Sequence, residues 1–228
     1  MSTGRNAIYR RKVNSPLLAY KSDVTSQCGE DGIIEHVCKV IEPANRYCIE
    51  FGAWDGKHFS NCYNLLANAG WEGLMIEANT EKYAQLEVTY AGNPRVKTLN
   101  RYVDLEGANT LDNILTEAGA PTEPGVLSID IDGNDYHVFE SLNEHHPELV
   151  IVEFNPTVPN DVIFVQEPSF EVNHGCSLLA LIMLGREKGY ELAVATYWNA
   201  FLVRKDKFPR LKITDNSISA LYAPVQDG

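Results

Sequence analysis

Long hydrophobic runs are missing from this chain. Its most apolar stretches, CSLLALIML (176–184) and ELVIVEF (148–154), fall far short of the ~20 residues that cross a bilayer. The opening MSTGRNAIYRRKVNS holds no hydrophobic core of the kind that directs secretion, so a cytoplasmic chain with no membrane span is expected. Excess positive charge is missing as well: 19 Lys and Arg stand against 31 Asp and Glu, for a formal net charge of −12. A binder of nucleic-acid backbones would show a basic face, so nucleic acid is not an expected partner. The one basic cluster, Arg5, Arg10, Arg11 and Lys12, lies in an arm read as flexible and solvated over residues 1–21. Cysteine pairs are also missing. Cys28, Cys38, Cys48, Cys62 and Cys176 are odd in number and show no CxxC spacing, which favours structural thiols in a reducing compartment over a disulfide frame. No repeat, low-complexity tract or linker divides the remainder. Residues 22–228 read as one domain, and 44% hydrophobic residues suffice for a single well-buried core.

What is present is alternation. SQCGEDGIIEHVCKVIEPAN places Ile33, Ile34, Val37, Val40 and Ile41 at helical spacing behind a start at Ser26, Glu30 and Asp31. RYCIEFGAWDG follows as a buried strand entering a tight glycine loop, and SNCYNLLANAG as a helix stopped at Gly70. WEGLMIEANTEKYAQLEVTYAG then gives a strand to Glu77, a cap at Asn79 or Thr80, and a helix ended by Gly92. RVKTLNRYV, NTLDNILTEAG, GVLSIDIDGNDYHVFESLNEH and ELVIVEFNP continue the pattern, which implies parallel strands joined by right-handed crossovers. Near the end, after the helix SLLALIMLGREKGY, ELAVATYWNA and AFLVRKD are two strands too close for a crossover helix. An antiparallel hairpin at the sheet edge is therefore predicted. The fold class is α/β: a Rossmann-like, mostly parallel seven-stranded sheet with an antiparallel C-terminal hairpin, the arrangement of class I methyltransferases. Residues 156–175 exceed an ordinary connection and are expected to form a lid or acceptor wall. The aromatics Phe164, Phe170, Tyr197 and Trp198 either pack this wall or stack on a sugar.

In open α/β sheets ligands bind beyond the carboxyl ends of the strands. Collected there are Glu50, Gly52 and Asp55 after the first strand, Glu77 after the second, Asp130 and Asp132 after the fourth, and Glu153 and Asn155 after the fifth. Burying unpaired carboxylates costs several kcal/mol each, so such a set points to a ligand. The loop EFGAWDGKHFSN has glycines for close backbone approach but lacks the GxGxxG spacing of a dinucleotide site. A ribose diol and an amino group, as carried by S-adenosylmethionine, suit carboxylates better than a pyrophosphate does, and Glu77 stands where an acid accepts both ribose hydroxyls. DIDGNDYH is not an EF-hand, since Asp135 and Ser141 stand where glycine and glutamate are needed. As the nucleophile loop of a haloacid-dehalogenase-like phosphatase it would leave the upstream strands unexplained.

The ordered series SQCGEDGIIE, IEFGAWDGKHFSN, GLMIEAN, LSIDIDGNDY, IVEFN, CSLLAL and NAFLVR resembles the FkbM-like, sugar-modifying methyltransferases, in the branch with an SIDIDGNDY segment, over roughly residues 22 to 206. The resemblance implies S-adenosylmethionine binding by Glu50, Gly52, Ser60, Asn61 and Glu77, with a contribution from Gln27. Asp55, Ala78, Tyr102 and Asp130, at neighbouring strand ends, join this cofactor set. It also implies O-methylation of a hydroxyl on a saccharide, sugar nucleotide or related small molecule. NAFLV keeps one phenylalanine where most such enzymes have a second, and His137 stands where an aromatic is common.

Methyl transfer needs positioning and a base for the acceptor's proton. Asp132 and His137, with Asp130 beside them near the transferred methyl, are the expected catalytic residues, and Asn134 or Asp135 is expected to cap the following helix. His174, beside Gly175, is a weaker pocket candidate. Asp130, Asp132, Glu153 and Asn155 also form a set of hard oxygen donors suited to Mg²⁺ or another divalent cation. At this level the alternative stays open that these groups hold the cofactor's amino group and acceptor hydroxyls directly. A metal-dependent phosphohydrolase using the DIDG acids and a non-catalytic binding module on the same fold are the other classes.

Overall fold

A computed structural model describes residues 15–222. Within the span read as an arm, Pro16–Tyr20 forms a 3-10 turn, Leu17 is buried, and Ser15 Oγ donates to the Ala193 carbonyl at 3.4 Å. The basic cluster at residues 5–12 lies outside the described residues.

Seven strands form one sheet: β1 (Tyr47–Phe51), β2 (Glu72–Glu77), β3 (Val96–Asn100), β4 (Val126–Ile129), β5 (Leu149–Glu153), β6 (Tyr190–Ala195) and β7 (Asn199–Arg204). Their spatial order is β3-β2-β1-β4-β5-β7-β6, with every pair from β3 to β5 parallel and β7 antiparallel to both neighbours. The predicted hairpin exists, and of its two strands β6 lies at the sheet edge. β7 reverses direction between β5 and β6.

The helices are α1 (Glu30–Ile41), α2 (Tyr63–Ala67), α3 (Thr80–Thr89), α4 (Leu111–Ala118), α5 (Asp135–Ser141), α6 (Leu178–Glu187) and α7 (Ile218–Leu221). The period-two side-chain alternation of the strands divides the core between the two faces. Ile49, Phe51, Leu127, Ile129, Val150 and Val152 pack with α4, α5 and α6, while Cys48, Val126, Leu149 and Ile151 pack with α1, α2 and α3. All five cysteines are free thiols, and four are buried. Among the described residues no helix is long and apolar enough to cross a membrane.

Local chemistry sets the helix starts. Asn79 caps α3, its side chain accepting from Glu81 N and Lys82 N at 2.9 and 3.0 Å. α1 begins one residue after Gly29, whose φ of 82° supplies a left-handed turn. Ser26 still serves that start, its Oγ accepting from Asp31 N at 2.8 Å. Asp31 in return draws three main-chain N–H groups, from Val24, Thr25 and Ser26, onto one carboxylate oxygen at 2.8 Å each. The loop carrying Gln27 is thereby fixed.

α5 begins differently from the expectation. Neither Asn134 nor Asp135 caps it through a side chain. Asp135 instead folds back to accept from Ile131 N and Gly133 N at 2.9 Å, shaping the DIDG loop.

The closest backbone approach that matters to function joins the ends of β1 and β4. Gly52 has φ +75°, and a Cβ there would sit 1.8 Å from the Asp130 carbonyl oxygen. Gly52→Ala therefore costs more than about 2 kcal/mol of stability. Gly92→Ala, with φ +80° but nothing within 4 Å, costs only the ~1 kcal/mol of left-handed strain. Urea denaturation of both variants checks this ordering, and equal losses would contradict it.

Candidate active site

Strand order reverses between β1 and β4, and the chain leaves them toward opposite faces: α2 packs with one core cluster and α5 with the other. A crevice must open at their carboxyl ends. It is a cavity of 590 Å³, within the ~300–1,000 Å³ range of small-molecule sites. Gln27 comes from the loop before α1, Glu50, Gly52, Trp54 and Ser60 from β1 and its loop, Glu77 and Ala78 from the end of β2, and Lys82 from α3. Arg101 and Tyr102 follow β3, Asp130 and Asp132 follow β4, and Glu153 and Asn199 close the far wall.

The acids of this cavity fall into two kinds. Glu50 and Glu77 are held by protein donors. Glu50 accepts from Ser60 Oγ and, at 2.8 Å, from Asn61 N, and burial pushes its carboxyl up to about 7 against these bonds. Glu77 accepts from Trp54 N at 2.8 Å and Asn79 N at 2.7 Å, one N–H on each oxygen. Each of its oxygens keeps a further lone pair while the carboxylate is fixed at the cavity wall.

Asp130, Asp132 and Glu153 accept no hydrogen bond from protein donors among the described residues. One oxygen of each lies within 4.8 Å of the others. Burial, then the neighbouring acids Asp135 and Asp132, pushes Asp130 up to about 7. Burial and then Asp130 push Glu153 up to about 9. Behind this wall the buried Glu30 accepts from Thr196 Oγ1 at 2.6 Å and Asn199 Nδ2 at 2.8 Å, and burial raises it to about 7. Asn199 is the cross-strand partner of Glu153, and its amide oxygen is buried without a partner.

Backbone strain gathers at the same place. Among the described residues six non-glycines have positive φ, and three of them, Trp54, Phe59 and Asp132, line the cavity. A fourth, Cys28, adjoins Gln27. Such conformations cost of order 1–3 kcal/mol each and persist where the surroundings enforce them.

The structure brings together Gln27, Glu50, Gly52, Ser60, Glu77, Ala78, Tyr102, Asp130, Asp132 and Glu153 of the expected set around one cavity. Four expected residues fall elsewhere. Asp55 does not line it; its Oδ1 accepts from Lys57 N and His58 N, so it builds the loop behind. Asn61 lies behind the wall, where its N–H clamps Glu50 and its Nδ2 donates to Ser128 Oγ at 3.1 Å. His137, the expected base, does not line the cavity either. Its Nε2 donates to the Gln166 carbonyl at 2.8 Å and its Nδ1 faces Glu140 at 3.6 Å. Asn155 turns its amide into its own loop, accepting from Thr157 and donating to the His174 carbonyl.

Lys82, Arg101 and Asn199 are cavity residues that were not assigned to the site from sequence, while Phe170 and Trp198, read as wall or stacking aromatics, do line it. Lys82 Nζ lies 4.2 Å from the Trp54 ring centre, and Arg101 is tied to Glu117 at 2.5 Å. The opening asparagine of NAFLVR was the only available signal for Asn199.

No family model and no curated protein matches the chain. Solved structures do. The N-terminal domain of EvdMO1 with SAH bound aligns at a TM-score of 0.50 and 13% identity over 78% of this chain and 80% of its own. The CurJ carbon methyltransferase aligns at 0.50 and 8% identity, over 83% of this chain and 57% of its own. The chain spans 51% of the citrinin polyketide synthase CMeT domain, at 14% identity and a TM-score of 0.49. The first two likenesses establish the fold alone: a Rossmann-like, mostly parallel α/β sheet with antiparallel C-terminal strands.

The raised acids dictate a pH dependence. A carboxyl whose folded pKa lies above its unfolded value keeps more protons in the folded state, so stability falls as pH rises from the unfolded value toward the folded one. For Glu153 that window runs from 4.5 to about 9. In chelator and without cofactor, Glu153→Gln should remove part of the stability loss between pH 5 and pH 8. It should melt higher than the unsubstituted chain at pH 8 by at least about 2–4 °C, the equivalent of ~1 kcal/mol in a domain of this size. At pH 5 the gap should be smaller. Parallel melting curves across pH would contradict the crowded-acid reading.

Proposed function

We propose that the chain is an S-adenosylmethionine-dependent methyltransferase of the FkbM-like kind, acting on a hydroxyl of a saccharide, sugar nucleotide or related small molecule. The observation that carries this reading is Glu77. Its two oxygens are pinned by Trp54 N and Asn79 N at the end of the strand beside the crevice, with lone pairs left for two vicinal hydroxyls. Ala78 and Tyr102 flank it to receive a base, and Gly52 lets the chain approach the cofactor closely. Glu50, through Ser60 and Asn61, keeps that loop in shape. The SAH bound by the EvdMO1 domain supports the same assignment.

When bound, S-adenosylmethionine supplies an electrophilic methyl group on a sulfonium. The chain supplies position and charge. Asp130, Asp132 and Glu153 have no protein donors, so they are available to an ammonium group, to acceptor hydroxyls or to a cation. Exposed aromatic faces at the rim, Trp54, Phe59, Tyr102, Phe170 and Trp198, each at least 36% exposed, suit the apolar faces of sugar rings and a nucleobase.

For a hard divalent cation the donor chemistry fits at Asp130, Asp132 and Glu153. Asn155 leaves the set because its amide is engaged. Such an ion would neutralise the cluster and make an acceptor hydroxyl more acidic.

Isothermal titration with S-adenosylhomocysteine tests the cofactor half. Binding is expected, and Glu77→Gln should weaken it about 10–100-fold, the worth of a charge-assisted hydrogen bond; no binding by the unsubstituted chain would overturn the reading. Mg²⁺ or Ca²⁺ should raise the melting temperature of the unsubstituted chain but not of Asp132→Asn. Identical melting with cation and with chelator would remove the metal from the proposal.

A further inference from the structure

A second cavity, of 230 Å³, lies beside the first and shares Asp132, Glu153 and Trp198 with it. Its remaining wall comes from Gly133, the β5 exit at Asn155 and Pro156, and the end of the insertion at Asn173, His174 and Gly175. Transfer of a group between two molecules requires each to reach the transfer point in line, from its own side. The smaller cavity falls below the ~300–1,000 Å³ that encloses a whole drug-sized ligand, so it fits one ring or one hydroxyl-bearing end of a longer molecule.

Four titratable residues line it: Asp132, Asp135, Glu153 and His174. Asp135 is buried with both oxygens taken by the main chain. Asp132 and Glu153 belong to the shared wall. His174 is exposed, and its imidazole makes no hydrogen bond or ion pair among the described residues, whereas its main chain is held from both sides. His174 N donates to Gln166 Oε1 at 2.8 Å, and its carbonyl accepts from Asn155 Nδ2 at 2.9 Å. The next residue, Gly175, donates to the same Gln166 oxygen at 2.8 Å. With its amide nitrogen turned toward the loop, the preceding Asn173 donates to the Asp132 carbonyl at 3.0 Å. A ring with both nitrogens uncommitted is thus carried on a fixed backbone next to Asp132.

We infer that this second cavity is the subsite for the acceptor and that His174 receives the proton of the acceptor hydroxyl. The inference rests on the methyltransferase reading. As the oxygen lone pair forms the bond to the methyl carbon, the O–H proton passes to an imidazole nitrogen, and the pair of the breaking carbon–sulfur bond stays on sulfur. His137 contributes at one remove. Its bond to the Gln166 carbonyl secures the residue that positions His174.

The test uses the full chain with labelled histidines and follows each imidazole by NMR against pH, in complex with S-adenosylmethionine and then with S-adenosylhomocysteine. The two differ by the sulfonium charge. A ring beside the methyl group is harder to protonate when that charge is present, so His174 should titrate lower with S-adenosylmethionine by about half a unit or more. His36, His145 and His146 should not move. His174→Gln identifies the resonance and should retain S-adenosylhomocysteine affinity within about twofold. With methyl hexopyranosides as probe acceptors, the same variant should lose at least about 10²-fold in methyl transfer, with the KM for S-adenosylmethionine unchanged. Superimposed titration curves, or equal transfer rates, would overturn this inference and leave the cofactor reading standing. Failure of both cofactor forms to bind would overturn the methyltransferase reading and this inference with it.

Discussion

The arrangement depends on one constraint: β1 and β4 lie side by side, and the chain leaves them toward opposite faces of the sheet. Two parallel strands whose following segments diverge cannot close their carboxyl ends over one another, so a crevice is obligatory. Gly52 makes it narrow. With no side chain at that position the main chain of β1 touches the Asp130 carbonyl, and loops from both strands face one space. The strained residues Trp54, Phe59 and Asp132 are the local cost of turning two chains away from each other over so short a distance.

Within that space hydrogen bonding separates scaffold from ligand-facing chemistry. A carboxylate with both oxygens met by protein donors belongs to the scaffold, as Asp135 does and as Glu50 does through Ser60 Oγ and Asn61 N. Glu77 combines both conditions, pinned yet open to the cavity. Asp130, Asp132 and Glu153 have only one another, and their mutual repulsion in a partly desolvated site raises the cost of keeping all three ionised. A folded chain tolerates such a cluster when something positive arrives to relieve it, which is the condition a sulfonium cofactor with an ammonium group, or a hard cation, would meet.

The strands, their order of appearance, the reversed final strand and the strand-end acids were legible in the sequence because each follows from short-range periodicity and the geometry of crossovers. Glu77 was legible for the same reason. Asp55 and Asn61 were misplaced because a loop of glycines and polar residues does not reveal which side chains face outward; Asp55 was used up on Lys57 N and His58 N. Lys82 and Arg101 carried no signal, since a cation on a helix or just after a strand is ordinary in sequence. His137 and His174 are the most instructive pair. His137 lies close in sequence to the strand-end acids, but its side chain is engaged by Gln166, twenty-nine residues later. Which histidine meets the cavity is decided by the path of the insertion, a non-local fact.

That path is set by a single buried amide. Gln166, 4% exposed, donates to Asn134 Oδ1 and the Ser169 carbonyl, accepts from His174 N and Gly175 N, and offers its own carbonyl to His137. Its side chain and carbonyl therefore tie the start of α5, the middle of the insertion and the mouth of the smaller cavity to one point. An amide is suited to this task because it donates and accepts at once without charge, and so adds nothing to the crowding of the acids nearby. The insertion contains no helix and no strand, only the isolated bridge between Val165 and Cys176. Its form therefore derives from these side-chain bonds together with two main-chain bonds, from Gln166 N to the Gly175 carbonyl and from Ser177 N to the Phe164 carbonyl. A wall built this way can be re-lined by changing residues around the hub while the sheet and its crevice stay as they are. Under the proposed function, the choice of acceptor falls to the insertion, whereas the cofactor falls to the strands.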